Sequence, residues 1–237
     1  GAIDDLDALA DICQREKIWF HVDGACGALG MMSPRLKPRY AGIQRADSLA
    51  LDFHKWAQVP YDAGFVLVRD RRLHQATFAS PAAYLGRAER GLSAGSPWPC
   101  DYGPDLSRNF KALKVWFTLQ VYGADRLGEM MDLACHMARL LEDRIKREPE
   151  LELLAPVSLN IVCFRYRSDH AVNELNAALV IALQESGIVA PSSTQINGQV
   201  ALRAAIFNHR TSQVEIDALC DATLKFGRKI KLGGAHP

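Results

Sequence analysis

Two short stretches hold the residues of this chain best suited to chemistry. The first is His21-Val22-Asp23-Gly24-Ala25, where a carboxylate closes an apolar run and the small residues Gly27 and Ala28 follow. A carboxylate in such a place is costly unless it faces a cation or several hydrogen-bond donors. The second is Asp52-Phe53-His54-Lys55-Trp56, where a lysine closes the next apolar run. An amine partly desolvated there is expected to have a lowered pKa, which suits imine formation. About thirty residues separate Asp23 from Lys55, room for the crossover that two parallel strands require. Ligands of open α/β sheets collect at the carboxyl ends of the strands, so both groups stand where a cofactor would sit. The pair suits a cofactor with an aldehyde for Lys55 to trap and a pyridine nitrogen for Asp23 to keep protonated. Such a ring accepts the electron pair left on a carbon when one of its bonds breaks.

Taken singly, Asp23 also reads as the aspartate of an Asp-Gly turn, and Lys55 as a surface lysine at a strand end. His21 and Asp23 could begin a metal site, but no third ligand stands at suitable spacing. The two stretches together are far more specific than either alone.

The elements that position them follow from periodicity. Asp4–Lys17 carries Leu6, Leu9, Ala10 and Cys13 at helical spacing with acids in its first turn. Ile18–Val22, Ser48–Phe53 and Gly64–Val68 read as apolar strands. Strands of this kind alternating with helices predict a mostly parallel sheet covered on both faces. The stretch 76–104 is rich in glycine and proline and shows no period, which suggests a functional lid or a disordered segment. Helical patterns cover Leu106–Tyr122 and Ala124–Arg147, with Gly123 between them. Strands at Ser158–Tyr166 and Gln199–Phe207, and helices at Ala171–Glu185 and Val214–Lys229, then predict a smaller α+β domain with mainly antiparallel strands. The expected division is 1–110 for the second half of a large domain and 111–237 for connecting helices and a small domain.

Composition excludes several classes. A formal net charge of +1 gives no reason to expect a nucleic-acid or membrane surface. Lys225, Arg228, Lys229 and Lys231 read as a solvated helix end. No apolar run approaches the roughly 20 residues needed to cross a bilayer. Gly1-Ala-Ile-Asp-Asp lacks the pattern of a signal peptide and reads as a cut inside a longer chain. The six cysteines are scattered without a C-x-x-C pair, so they read as buried free thiols of a cytoplasmic protein.

HVDGA followed by RADSLALDFHKW resembles the group II pyridoxal-phosphate decarboxylases, the family of aromatic amino-acid, glutamate and cysteine-sulfinate decarboxylases. The likeness runs over essentially the whole chain, including Arg108-Asn-Phe-Lys-Ala-Leu-Lys-Val-Trp-Phe and Leu202-Arg203-Ala-Ala-Ile-Phe-Asn-His-Arg. The resemblance implies the C-terminal half of a fold-type I enzyme that decarboxylates an L-amino acid to an amine and CO₂. It implies that Lys55 binds pyridoxal phosphate as an internal aldimine, Asp23 pairs with the pyridine nitrogen, Ala25 packs on the ring and His54 lies near the phosphate. It further implies that Tyr84 reprotonates Cα from a loop closing over the partner subunit's site of a homodimer, and that Arg203 lies near the substrate carboxylate. Read from the chain alone, Tyr84 is an ordinary loop aromatic and Arg203 a strand arginine paired with a local acid. Asp52 stands where several relatives have asparagine near the phosphate, so its charge must be turned away or neutralised. The phosphate-binding loop, the stacking histidine and most substrate-selecting residues lie upstream in the family. A companion N-terminal segment is therefore expected to complete the enzyme. The rival readings are an aldehyde synthase or other carbon–carbon lyase, which Tyr84 disfavours, and a non-catalytic assembly chain.

Overall fold

The computed structural model describes residues 1–79 and 86–233. Helix α1 spans Leu6–Glu16: the Asp5 carboxylate accepts from the Ala8 amide at 3.0 Å, and Lys17 ends the helix in the left-handed region at φ 54°. Strand β1 is confined to His21–Asp23. The predicted strand began at Ile18, but Ile18 and Trp19 are exposed and Phe20 spends its amide on the Asp47 carboxylate at 2.8 Å.

Strand β2 spans Ser48–Asp52 and pairs with β1 in parallel, with His21 opposite Ser48 and Asp23 opposite Ala50. A series of 3₁₀ turns over Ala28–Met32, Lys37–Tyr40 and Ile43–Arg45 makes the crossover. Strand β3, Gly64–Val68, adds antiparallel to β2, giving the order β1-β2-β3. Its predicted burial on both faces does not hold: Phe65, Val66 and Leu67 are each about half exposed, because β3 is an edge strand with both faces open.

Helix α2, Arg71–Phe78, was not foreseen; Asp70 caps it through the amides of Arg72 and Leu73. The segment from residue 86 onward is tied down more firmly than its composition suggested. Buried Asp101 accepts from the Trp98 amide at 2.7 Å and pairs with Arg87, whose guanidinium stacks 3.9 Å from the centre of the Trp98 ring.

Helix α3 spans Lys111–Arg147 and is broken at Gly123, as its sequence predicted; φ 76° and ψ 159° there are accessible to glycine at little cost. The two halves differ sharply. Phe110, Trp116, Phe117 and Tyr122 before and within the first half are exposed, whereas Leu127, Met131, Ala134, Ala138, Leu141 and Ile145 of the second line one buried face. A Cβ at Gly128 would stand 2.5 Å from the Met32 carbonyl, so glycine lets α3 lie directly on the crossover.

The second sheet is antiparallel, as expected, with order β4-β5-β7-β6: Leu151–Leu153, Ile161–Tyr166, Gln199–Ala205 and Ser192–Ile196. Val162, Phe164 and Tyr166 of β5 alternate inward. Helices α4, Val172–Glu185, and α5, Gln213–Gly233, cover the sheet. Asn176 of α4 satisfies both the amide and the carbonyl of Tyr166, at 2.8 and 2.9 Å. One apolar core runs from Ala28 through α3 to Leu224.

All six cysteines are free, although only Cys135 and Cys220 are fully buried; burial pushes their thiols up to about 11 and about 12. Arg228 is an exposed cation near the end of α5, as predicted, and it also pairs with Glu150 at 2.9 Å. Among the described residues no helix is long and apolar enough to cross a membrane.

Gly227 of α5 presses against Tyr166, where a Cβ would lie 2.3 Å from the ring. The ring cannot give way freely, since its hydroxyl donates to Glu150. Gly227→Ala is therefore expected to destabilise the full-length protein by about 1–3 kcal/mol, read as a lower urea midpoint with an unchanged slope.

Candidate active site

The parallel register brings the ends of β1 and β2 to one edge. Beyond Asp23 the chain stays pinned to β2, because the Gly24 amide donates to the Ala50 carbonyl at 2.8 Å. Asp23 then turns the chain by accepting the Ala25 amide on Oδ1 at 3.0 Å. The tight 3₁₀ turn that follows needs glycine at 24, where a Cβ would meet that of Ala28 at 2.3 Å. One carboxylate oxygen of Asp23 is thus committed to the turn and the other is left for a ligand.

Beyond β2 the chain forms a knuckle. Phe53 donates to the Ala63 carbonyl at 3.0 Å, Lys55 to that of Asp52 at 3.2 Å and Val59 to that of Phe53 at 3.1 Å. Buried Trp56, Ala57 and Val59 root the knuckle in the core. Lys55 projects from it, with 36% of its side chain exposed. Lys55, Asp23, Ala25, Cys26, Tyr40 and Leu159 line one cleft of about 290 Å³.

The protonation state of Lys55 differs from the sequence expectation. The Asp52 carboxylate lies 2.7 Å from Nζ and its hydrogen bond raises the lysine pKa above the ordinary value. Desolvation acts in the opposite sense but is smaller, and the negative charge of Asp52 and Asp23 adds to the rise. Lys55 is therefore held as an ammonium. The same contact neutralises Asp52, whose charge had looked unfavourable beside a phosphate.

His54 accepts the Ala63 amide on Nδ1 at 3.0 Å, so its neutral ring carries the proton on Nε2. Nε2 stands 3.9 Å from Asp52 Oδ2, and the Tyr61 ring meets the imidazole edge-on at 4.4 Å. A second cleft on the other side of the knuckle is lined by His54, Lys55, Gln58, Phe207, His209 and Arg210. Gln58, His209 and Arg210 had no assigned role in the sequence. The last two belong to the quoted Asn-His-Arg segment, and only the fold reveals their approach to Lys55.

The structure thus gathers Asp23, Ala25 and Lys55 in one cleft, and His54 with Lys55 in the other. Arg203 sits half-buried in mid-β7, opposite Cys163 and Ser192, and lines neither cleft. Tyr84 lies outside the described residues. His21 bonds the Ser48 hydroxyl at 2.7 Å at the start of its strand, at the edge remote from Lys55.

An amine and a carboxylate at the ends of adjacent parallel strands, converging on one cleft, define the class of α/β enzymes that hold an aldehyde cofactor on lysine. Within that class the chain belongs to the pyridoxal-dependent decarboxylases, whose conserved domain matches residues 1–167. It is 35% identical to an aromatic-L-amino-acid decarboxylase of Bacillus atrophaeus, over 91% of this chain and 46% of that protein. It is 31% identical to an L-2,4-diaminobutyrate decarboxylase of Rhizobium meliloti, over 100% of this chain and 48% of that protein. In structure it resembles the tryptophan decarboxylase of Catharanthus roseus solved in complex with L-tryptophan. That likeness has a TM-score of 0.83 at 26% identity and covers 96% of this chain and 48% of that one. The glutamate decarboxylase domain of a Vibrio parahaemolyticus protein gives 0.80 at 30% identity, over 97% and 44%. The chain spans about half the length of the curated relatives it matches.

Pyridoxal phosphate is the family's cofactor, and the donor set fits it. Lys55 offers the amine and Asp23 a free carboxylate oxygen in the same cleft, while Ala25 presents no side-chain bulk beyond Cβ.

Asp52→Asn removes the largest cause of the raised Lys55 pKa. In the protein without cofactor, the pH midpoint for Lys55 acylation, followed by peptide mass mapping, is expected to move to lower pH. An unmoved midpoint would deny the pairing.

Proposed function

We propose that the complete protein removes the α-carboxyl group of an L-amino acid as CO₂ and releases the amine, using pyridoxal phosphate held at Lys55. The observation that carries this reading is the convergence of Lys55 and Asp23 on one cleft at the ends of parallel strands. When bound, the cofactor supplies an aldehyde for the substrate's amino group and a ring that accepts the electron pair left on Cα.

The chain's own residues supply attachment, orientation and proton control. Lys55 Nζ would hold the cofactor by its aldehyde carbon. Asp52, 2.7 Å away, is placed to take and return the proton that Lys55 loses and regains. Asp23, fixed through Oδ1 by the Ala25 amide, uses its other oxygen to keep a proton on the ring nitrogen. By family position Ala25 would pack against the ring, and His54 would lie near the phosphate. By family position Tyr84 delivers the proton to Cα and Arg203 receives the substrate carboxylate.

Residues 1–110 then belong to the large domain and 111–237 to the connecting helices and small domain. The remainder of the large domain comes from a companion N-terminal segment that brings the main phosphate site and the residues that choose among amino-acid side chains. Two features favour such a covering. β1 has an unpaired edge among the described residues, and β3 and the first half of α3 expose Phe65, Leu67, Trp116 and Phe117. The complete enzyme is assigned as a cytoplasmic homodimer.

Full-length protein treated with pyridoxal phosphate and borohydride is expected to carry its stable adduct at Lys55, and Lys55→Ala to lose both adduct and turnover. An adduct mapped to another lysine refutes the assignment. Asp23→Asn should keep the adduct while turnover falls by about 10²-fold or more, the order seen when a preorganised electrostatic contact is lost.

Tyr84→Phe should divert product from amine toward aldehyde, with oxygen consumed and ammonia and peroxide released. The measurement is the amine-to-aldehyde ratio, and an unchanged ratio removes Tyr84 from the reaction.

A further inference from the structure

We infer that Gln58 is a positioning residue for Lys55, clasping the knuckle that bears the lysine to the end of the C-terminal sheet. The inference rests on the reading of Lys55 as the cofactor lysine and extends it to a pair of residues, Gln58 and His209, with no role in that reading.

The geometry is closed on all three polar positions of the Gln58 amide. Its Nε2 donates to the Lys55 carbonyl at 3.3 Å and to the Phe207 carbonyl at 2.6 Å. Both partners are pure acceptors, so the NH₂ group must face them and Oε1 must face the other way. There Oε1 meets His209 Nδ1 at 3.2 Å, and since an amide oxygen only accepts, His209 donates from Nδ1. The backbone of Gln58 is held at φ 58°, in the left-handed region that a side-chain-bearing residue seldom adopts. Such a conformation persists where surrounding contacts over-determine it.

The clasp has firm ground at both ends. Phe207 follows β7, whose continuation is pinned by Asn160: its side-chain amide donates to the Ile206 carbonyl at 2.9 Å, and its own carbonyl accepts the Ile206 amide at 2.9 Å. The Phe207 ring meets Trp56, the residue after Lys55, edge-on with centres 6.1 Å apart. On the other side the Lys55 carbonyl belongs to the residue whose Nζ pairs with Asp52. Gln58 therefore fixes the backbone from which the lysine side chain reaches into the cleft. In its absence the Lys55 carbonyl is free to rotate, and the small shift this allows is amplified along the side chain to Nζ.

The test uses the full-length protein with two readouts, at a temperature where circular dichroism shows every variant folded. The first is hydrogen–deuterium exchange of the peptide containing residues 53–63, without cofactor. The second is the rate of borohydride-trapped adduct formation at Lys55 with pyridoxal phosphate. Gln58→Leu is expected to raise exchange in that peptide and slow adduct formation about tenfold, the order expected when a hydrogen-bonding group loses its partner. His209→Leu should act in the same direction, and His209→Asn should restore wild-type behaviour, because asparagine Nδ2 can place a donor where histidine has Nδ1. Exchange and trapping both within twofold of wild type in Gln58→Leu would overturn the inference, as would failure of His209→Asn to differ from His209→Leu. If the wild-type adduct forms at another lysine, the assignment of Lys55 falls, and the exchange result still decides whether the clasp exists.

Discussion

Parallel pairing of β1 with β2 is the constraint on which the rest of the site depends. With Asp23 opposite Ala50, the register commits both strands to finish at the same edge, and everything after each strand must turn there. The turn after β1 is made of residues small enough to pack against β2, with glycine obligatory at 24. The turn after β2 is bulky and apolar underneath, through Trp56, Ala57 and Val59, and polar on top, through Asp52, His54 and Lys55. A one-residue slip of the register would carry Asp23 to the opposite face of its strand. The site is thus a property of strand pairing first and of side-chain identity second.

The charges at that edge balance locally. Lys55 is flanked by Asp52 in contact and by Asp23 at longer range, and both favour its ammonium form. For the proposed attachment at Lys55, attack on an aldehyde requires the neutral amine, so the lysine would first release its proton, and Asp52 is the nearest acceptor. His54, its Nδ1 occupied by the Ala63 amide, cannot accept there and keeps its proton on the side that faces Asp52. The same few contacts therefore fix both the position of the groups and which of them carry protons.

Much of this was legible in the sequence because it is local. Asp23 and Lys55 each end an apolar run, and Gly123 interrupts two helical patterns. Other features were hidden for definite reasons. Ser192–Ile196 forms a polar, largely exposed edge strand whose residues carry no alternation to read. β4 is only three residues long. The raised pKa of Lys55 depends on how the knuckle folds Asp52 back by three residues, which composition does not encode. Gln58 meets Phe207 across 149 positions of chain, a distance that no short motif spans.

The apolar core continues without a break from the crossover beneath Asp23, along the second half of α3, to the helix that closes the chain. Tight side-chain packing of this extent makes melting cooperative. The core joins both sheets, so a flaw beneath Tyr166 acts on the packing that roots the knuckle. Damage to the distant sheet is therefore expected to lower the population of molecules that keep the knuckle in place.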